Sequence, residues 1–149
     1  MSHSRIRRRS RRRPENRRSG VATIEFAVVL PALLALTLGT MDLCSVMFLK
    51  ESAVLAAYEG ARRGVGRGRD NSDVVDRVEE FLDERNIAYN AGDAITISSP
   101  GFGGADTLEN VTVTVTLPTD GNLLIPSTLF GQLDISASVT MRKEYQNLE

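Results

Sequence analysis

The sequence predicts an α+β protein: a long N-terminal transmembrane helix followed by a small domain of one short helix and a three-stranded antiparallel sheet. Three patterns lead there. A basic start runs straight into an uncharged apolar stretch, one later segment repeats apolar residues at helical spacing, and three segments alternate apolar with polar residues.

Charge divides the chain before any element is assigned. Residues 1–20 carry nine Arg against one Glu, a net +8, and the remainder carries nine basic against eighteen acidic residues, a net −9. A formal charge of −1 for the whole therefore describes no part of it. A basic tail of this kind can face nucleic acid, anionic lipid or the cytoplasmic side of a membrane. No aromatic residue is interleaved with these arginines, which removes the stacking half of a single-strand-binding surface. The tail reads as a topology signal, and nucleic acid is not an expected partner.

The segment after the tail sustains that reading. From Phe26 to Met41 there is no charge. This stretch would be about 24 Å long as a helix, short of the roughly 30 Å hydrocarbon core. Val21–Ile24 before it and Leu43–Leu49 after it supply the missing length, and Glu25 and Asp42 then fall near opposite interfaces. The positive-inside rule keeps residues 1–20 in the cytoplasm and puts the chain beyond Leu49 outside, as a single-pass membrane protein. A cleaved secretory signal shares the basic start, but its apolar region should span about 7–15 residues and end at a cleavage site. Here the run continues into a helix-favouring segment. Pro31 frees the carbonyl of Ala27, so a membrane-helix bend is expected there. Ala35-x-x-x-Gly39 is spaced for close approach of another helix. Cys44 is the lone cysteine, so no intrachain disulfide exists, and its apolar neighbours suggest a small packing residue.

Lys50–Arg63 is alanine-rich and extends the same helix until Gly64, Gly66 and Gly68 end it. Arg62, Arg63, Arg67 and Arg69 form a second basic cluster, either a phosphate site or a solvated helix end favoured by the helix dipole. Capped by Ser72 or Asp73, an amphipathic helix then places Val74, Val78, Phe81 and Leu82 on one face and Asp76, Glu79, Glu80 and Asp83 on the other. Ile95 and Ile97, the odd residues of Val111–Leu117, and the odd residues of Leu133–Met141 each alternate with polar residues, as in a half-buried antiparallel sheet. Pro118 closes the second strand. Residues 99–106 form the first connection. In 119–132, Leu123, Leu124, Ile125, Leu129 and Phe130 make either a loop packed over the sheet or an exposed docking patch. Three regions follow: a cytoplasmic leader 1–20, a transmembrane helix with its extension 21–63, and an extracytoplasmic α+β domain 64–149.

Chemistry finds no foothold in these residues. The single His3 lies in the tail, so no external His exists for a triad or a zinc site. Gly101-Phe-Gly-Gly104 lacks the Lys-Ser/Thr of a phosphate loop. Asp70-Asn-Ser-Asp73 lacks the sixth-position Gly and twelfth-position Glu of a calcium loop. No cofactor and no enzymatic activity are expected.

Gly20 followed by four residues, then Glu25-Phe26 and an apolar helix, resembles the prepilin-peptidase site of type IV pilin relatives. Ala22-Thr-Ile-Glu-Phe-Ala-Val-Val-Leu-Pro31, with Ala57-Tyr-Glu-Gly-Ala-Arg-Arg63 further on, is similar to TadE-like proteins, pseudopilins of the tight-adherence (Tad, Flp-type) pilus system. The resemblance covers about residues 19–63, and Leu124-Ile-Pro126, Leu129-Phe-Gly131 and Met141-Arg142 share the family's flavour. It implies a membrane-anchored pseudopilin of pilus assembly, cut after Gly20, with a prepilin peptidase, other pseudopilins and an inner-membrane assembly platform as partners. Gly20 would give the peptidase backbone access, since it lacks a Cβ. Cutting would leave an amine on Val21, and Glu25 would sit near the new helix N-terminus, favoured there by about 0.3–1 kcal/mol. In an assembly Glu25 could instead pair with the Val21 amine of a neighbouring subunit; otherwise it is an interfacial residue. The alternative from another class is an uncleaved single-pass anchor whose head binds a ligand or partner.

Overall fold

One helix, α1, runs from Arg18 to Val65, and Pro31 lies inside it without ending it. The structure is a computed structural model that describes residues 18–123 and 133–144. The tail through residue 17 with His3, the segment 124–132 with Leu124, Ile125, Leu129 and Phe130, and residues 145–149 lie outside the described residues. By contacts the chain divides into a unit ending at Leu36 and a unit Thr37–Glu149. In the first, every residue from Gly20 to Leu36 is exposed. A window of α1 between Gly20 and Val65 has mean hydropathy 2.2 and none of it is buried inside the protein. Its length and apolarity suffice to cross a membrane.

The second unit holds the rest of α1 and the head. Burial on α1 begins at Leu49 and recurs at Ser52, Ala53, Ala56, Ala57 and Ala61, one face of a helix. Cys44 precedes this burial and is exposed, so it is no packing residue as its neighbours had suggested. The expected break at Gly64 also moves: α1 continues to Val65, and the chain turns at Gly66, whose N–H donates to Arg63 O at 3.3 Å. Gly68 then takes φ +69°, which favours glycine.

Helix α2 spans Asn71–Glu84 and buries Val74, Val78, Phe81 and Leu82, the face expected from its periodicity. Its cap is Asp70 rather than Ser72 or Asp73. The Asp70 carboxylate accepts from the N–H of Ser72 (2.8 Å) and of Asp73 (3.3 Å), and Asp73 reaches back to the Asp70 N–H (3.2 Å). The sheet follows as β1 (Ile95–Ile97), β2 (Asn110–Pro118) and β3 (Asp134–Arg142), antiparallel in the order β1-β2-β3. Ile97 pairs with Val113, and Val113 with Val139. Alternation does what the sequence predicted. Val111, Val113, Val115 and Leu117 are fully buried, while on the other face Thr112 bonds Thr140 and Thr114 bonds Ser138, each at 2.8 Å.

The connection after β1 is more than a loop. It contains a short helix, α3 (Gly101–Gly104), that drives Phe102 into the core. Gly101 at φ +78° makes the turn, and the Phe102 N–H donates to Asn71 Oδ1 at 2.8 Å, tying α3 to the start of α2. The core so formed joins α1, α2, Phe102 and the sheet's inner face.

Candidate functional site

The residues expected to direct processing all lie on the outer surface of α1. Gly20, Val21, Glu25 and Phe26 are exposed, as is Pro31. A Cβ on Gly20 would meet nothing within 4 Å. Gly39 is equally open, with nothing among the described residues within 4 Å of an added Cβ. The bond between Gly20 and Val21 falls in the first turn of the helix, where N–H groups have no intrahelical acceptor.

The segment Ala57–Arg63 has a structural reason for its small residues. A Cβ on Gly60 would lie 2.5 Å from Cγ2 of Val78, and one on Gly64 would lie 2.6 Å from ring atoms of Phe102. At these two glycines α2 and Phe102 of α3 come directly against the backbone of α1, and Ala53, Ala56, Ala57 and Ala61 are buried in the same core, so the small residues form one seam along α1. Sequence reasoning took Gly60 only as part of a motif and Gly64 as a terminator. The recurring spacing of small residues from Ala53 to Gly64 was the available signal.

Beside the seam lies the second basic cluster. Arg62, Arg63, Arg69 and Arg77 share a cleft of about 610 Å³ with Glu59, Asp73, Asp76 and Glu80, whereas Arg67 does not line it. Arg69 pairs with Asp73 at 2.6 Å, and Arg77 with Glu80 at 2.9 Å and Glu59 at 3.5 Å. Four carboxylates thus balance four guanidinium groups, so the cleft is not an anion trap and the reading as a solvated helix end holds. Asp73 is held below the usual carboxylate range first by the Asp70 N–H and then by Arg69, and Asp70 first by the Ser72 hydroxyl. The oxygens of Asp70-Asn-Ser-Asp73 are already engaged, Asp70 and Asp73 in the α2 capping box, Asp73 also with Arg69, and Asn71 Oδ1 with the Phe102 N–H, and among the described residues no cluster of ligating side chains could hold a metal.

Lys143 is the residue that the sequence did not flag. It is fully buried just after β3, and its Nζ donates to Gly64 O (3.2 Å) and Arg69 O (3.3 Å), 5.9 Å from the Phe102 ring centroid. Burial pushes its ammonium below the ordinary lysine range. The lysine satisfies two carbonyls at the end of α1 and in the following turn, and so locks β3 to the α1–α2 junction.

Residues 20–62 match the family model described as TadE-like protein. Over this segment the chain is similar to TadE-like proteins. The TadE-like segment begins at the open Gly20, takes in the exposed apolar stretch, and ends two residues before the close contact of Gly64 with Phe102. No curated protein and no solved structure matches the chain. The match supports involvement in tight-adherence pilus assembly, and the apolar helix fits a membrane-anchored protein.

Proposed function

We propose that this chain is a pseudopilin-like component of tight-adherence pilus assembly: a single-pass protein of the bacterial inner membrane, cut after Gly20, with its head outside. The observation that carries the proposal is the pairing of a TadE-like segment with a helix that is wholly exposed from Gly20 to Met41 and buried only from Leu49 onward. Exposed Leu, Val and Phe in such numbers need a solvent other than water. The nine arginines of residues 1–20 supply the orientation. The partners are the bilayer, a prepilin peptidase, other pseudopilins and an inner-membrane platform, and the role is structural rather than enzymatic.

Processing needs the first turn of α1 to open. That turn is the cheapest to unwind, because its donors are already outside the hydrogen-bond ladder. The experiment is intact-mass measurement of the full chain made with and without a prepilin peptidase. A mature chain starting at Val21 is expected. Gly20→Ala should remain uncut yet insert normally, since the added methyl meets no neighbour and changes neither charge nor length. Cleavage unchanged in that variant puts the cut elsewhere; a wild-type chain never cut favours the uncleaved anchored module.

A further inference from the structure

We propose that a groove between the end of the apolar stretch and the end of α2 binds the headgroup of an anionic phospholipid, with Arg85 on the phosphate. The inference rests on the membrane-spanning reading above. The groove measures about 370 Å³, and Cys44, Phe48 and Leu49 of α1 face Arg85, Asn86 and Ile87 across it. Among the described residues Arg85 is the only charged one lining it, and none of the described carboxylates neutralises the guanidinium from within the groove. This is the reverse of the cleft around Arg62, where acids and arginines are equal in number.

Depth along α1 identifies the occupant. Val21–Leu49 spans about 43 Å as a helix, the thickness of a bilayer with both headgroup layers included. Residues 42–49 then lie in the outer headgroup layer, and Leu49 is where the head begins to cover the helix. Cys44 and Phe48 stand at the depth of the glycerol and phosphate. Phe48 remains 58% exposed and Met47 68%, apolar surface suited to the first methylenes of an acyl chain. The guanidinium of Arg85 lies 4.1 Å from the Phe81 ring centroid, which holds it in place while its N–H donors stay accessible. A planar, permanently charged fork on an aromatic face is a good phosphate ligand. One Arg near an anionic surface contributes about 1 kcal/mol, about fivefold in affinity.

The single cysteine makes the groove measurable in the full-length chain. In maltoside micelles, added phosphatidylglycerol should slow alkylation of Cys44 by a bulky maleimide. Arg85→Gln should raise the half-protecting lipid concentration about fivefold, and Arg85→Lys should raise it less. Ser45→Asp, which places an acid in the lining of the groove and leaves Arg85 intact, should act in the same direction as Arg85→Gln. Thermal unfolding of each variant reports whether the head is intact, and Ser45→Asp carries the test if Arg85→Gln does not fold. Equal protection in wild type and both variants overturns the proposal. Protection by inorganic phosphate alone, at the same concentration, overturns the lipid assignment and makes the occupant a free anion. Flotation with phosphatidylglycerol vesicles separates the two readings. A chain that fails to float sinks the anchored-protein reading, whereas one that floats but shows no dependence on Arg85 or Ser45 sinks only the groove.

Discussion

Gly64→Ala adds one methyl group where α1, α2 and α3 meet, and the structure fixes what that methyl would strike. The new Cβ would lie 2.6 Å from both Cδ2 and Cγ of Phe102 and 2.7 Å from Cγ2 of Val74, against an ordinary contact of 3.4–4 Å. Both neighbours are fully buried, so neither can swing into solvent. Relief requires the ring or α1 itself to move by most of an ångström. Overpacking of this kind costs about 1–3 kcal/mol. Alanine returns up to about 1 kcal/mol over glycine in a helix interior, and less here because α1 ends one residue later. The net expectation is a loss of about 1–2 kcal/mol. For a head of this size each kcal/mol lowers Tm by about 4–8 °C, so a drop of about 5–15 °C is expected. Thermal unfolding of the full chain in maltoside micelles, followed by near-ultraviolet circular dichroism, reads it. Gly39→Ala is the control, because nothing lies within 4 Å of the added methyl. Pairing Gly64→Ala with Phe102→Leu should give a double-mutant coupling of about 0.5 kcal/mol or more, since the smaller side chain makes room. A Gly64→Ala chain as stable as the Gly39→Ala control would show that the small-residue seam is not a tight contact.

Lys143→Met removes the donor to one buried and one part-buried carbonyl and should destabilise the head by about 1–3 kcal/mol in a denaturant titration. Because burial lowers the lysine's folded-state pKa, the unfolded chain binds more protons between that value and about 10.4, so stability should rise with pH across this window in the wild type and stay flat in Lys143→Met. Asp70 and Asp73 are shifted the other way, so the stability given by the α2 cap should be full above about pH 3.9 and fade as pH falls through their lowered values. Asp70→Ala should lose that acid-sensitive part, seen as a flatter unfolding profile between pH 5 and 2, whereas Asp70→Asn keeps an acceptor and should retain the cap near neutral pH.

How far the sequence could be read followed the range of the forces involved. Strand β2 declared itself through Val111, Val113, Val115 and Leu117, because alternation is a local property and its buried face is uniform. Helix α2 did so through Val74, Val78, Phe81 and Leu82 for the same reason. Its start was misplaced because Asp70, Ser72 and Asp73 are all good caps, and the choice fell to the pair able to bond reciprocally. Gly64 looked like a terminator because glycine ends helices, but Phe102, 38 residues away, supplies a ring that only a bare backbone admits there. Lys143 drew no reading from the sequence, because lysine seldom goes inside. Its burial depends on carbonyls at Gly64 and Arg69, which nothing local to it announces. On the apolar helix, Gly20 through Phe26 were singled out by their resemblance to a prepilin-peptidase site, and the structure adds that they are exposed.

The bond from Lys143 to Gly64 joins residues 79 apart in sequence. During synthesis α1 leaves the ribosome first, and the carbonyls at its far end wait for a side chain threaded long afterwards. A contact of such span forms late in folding. On the membrane topology proposed above, the head would cross the bilayer as an open thread and close on the far side, with the arriving ammonium as the latch that makes the passage hard to reverse.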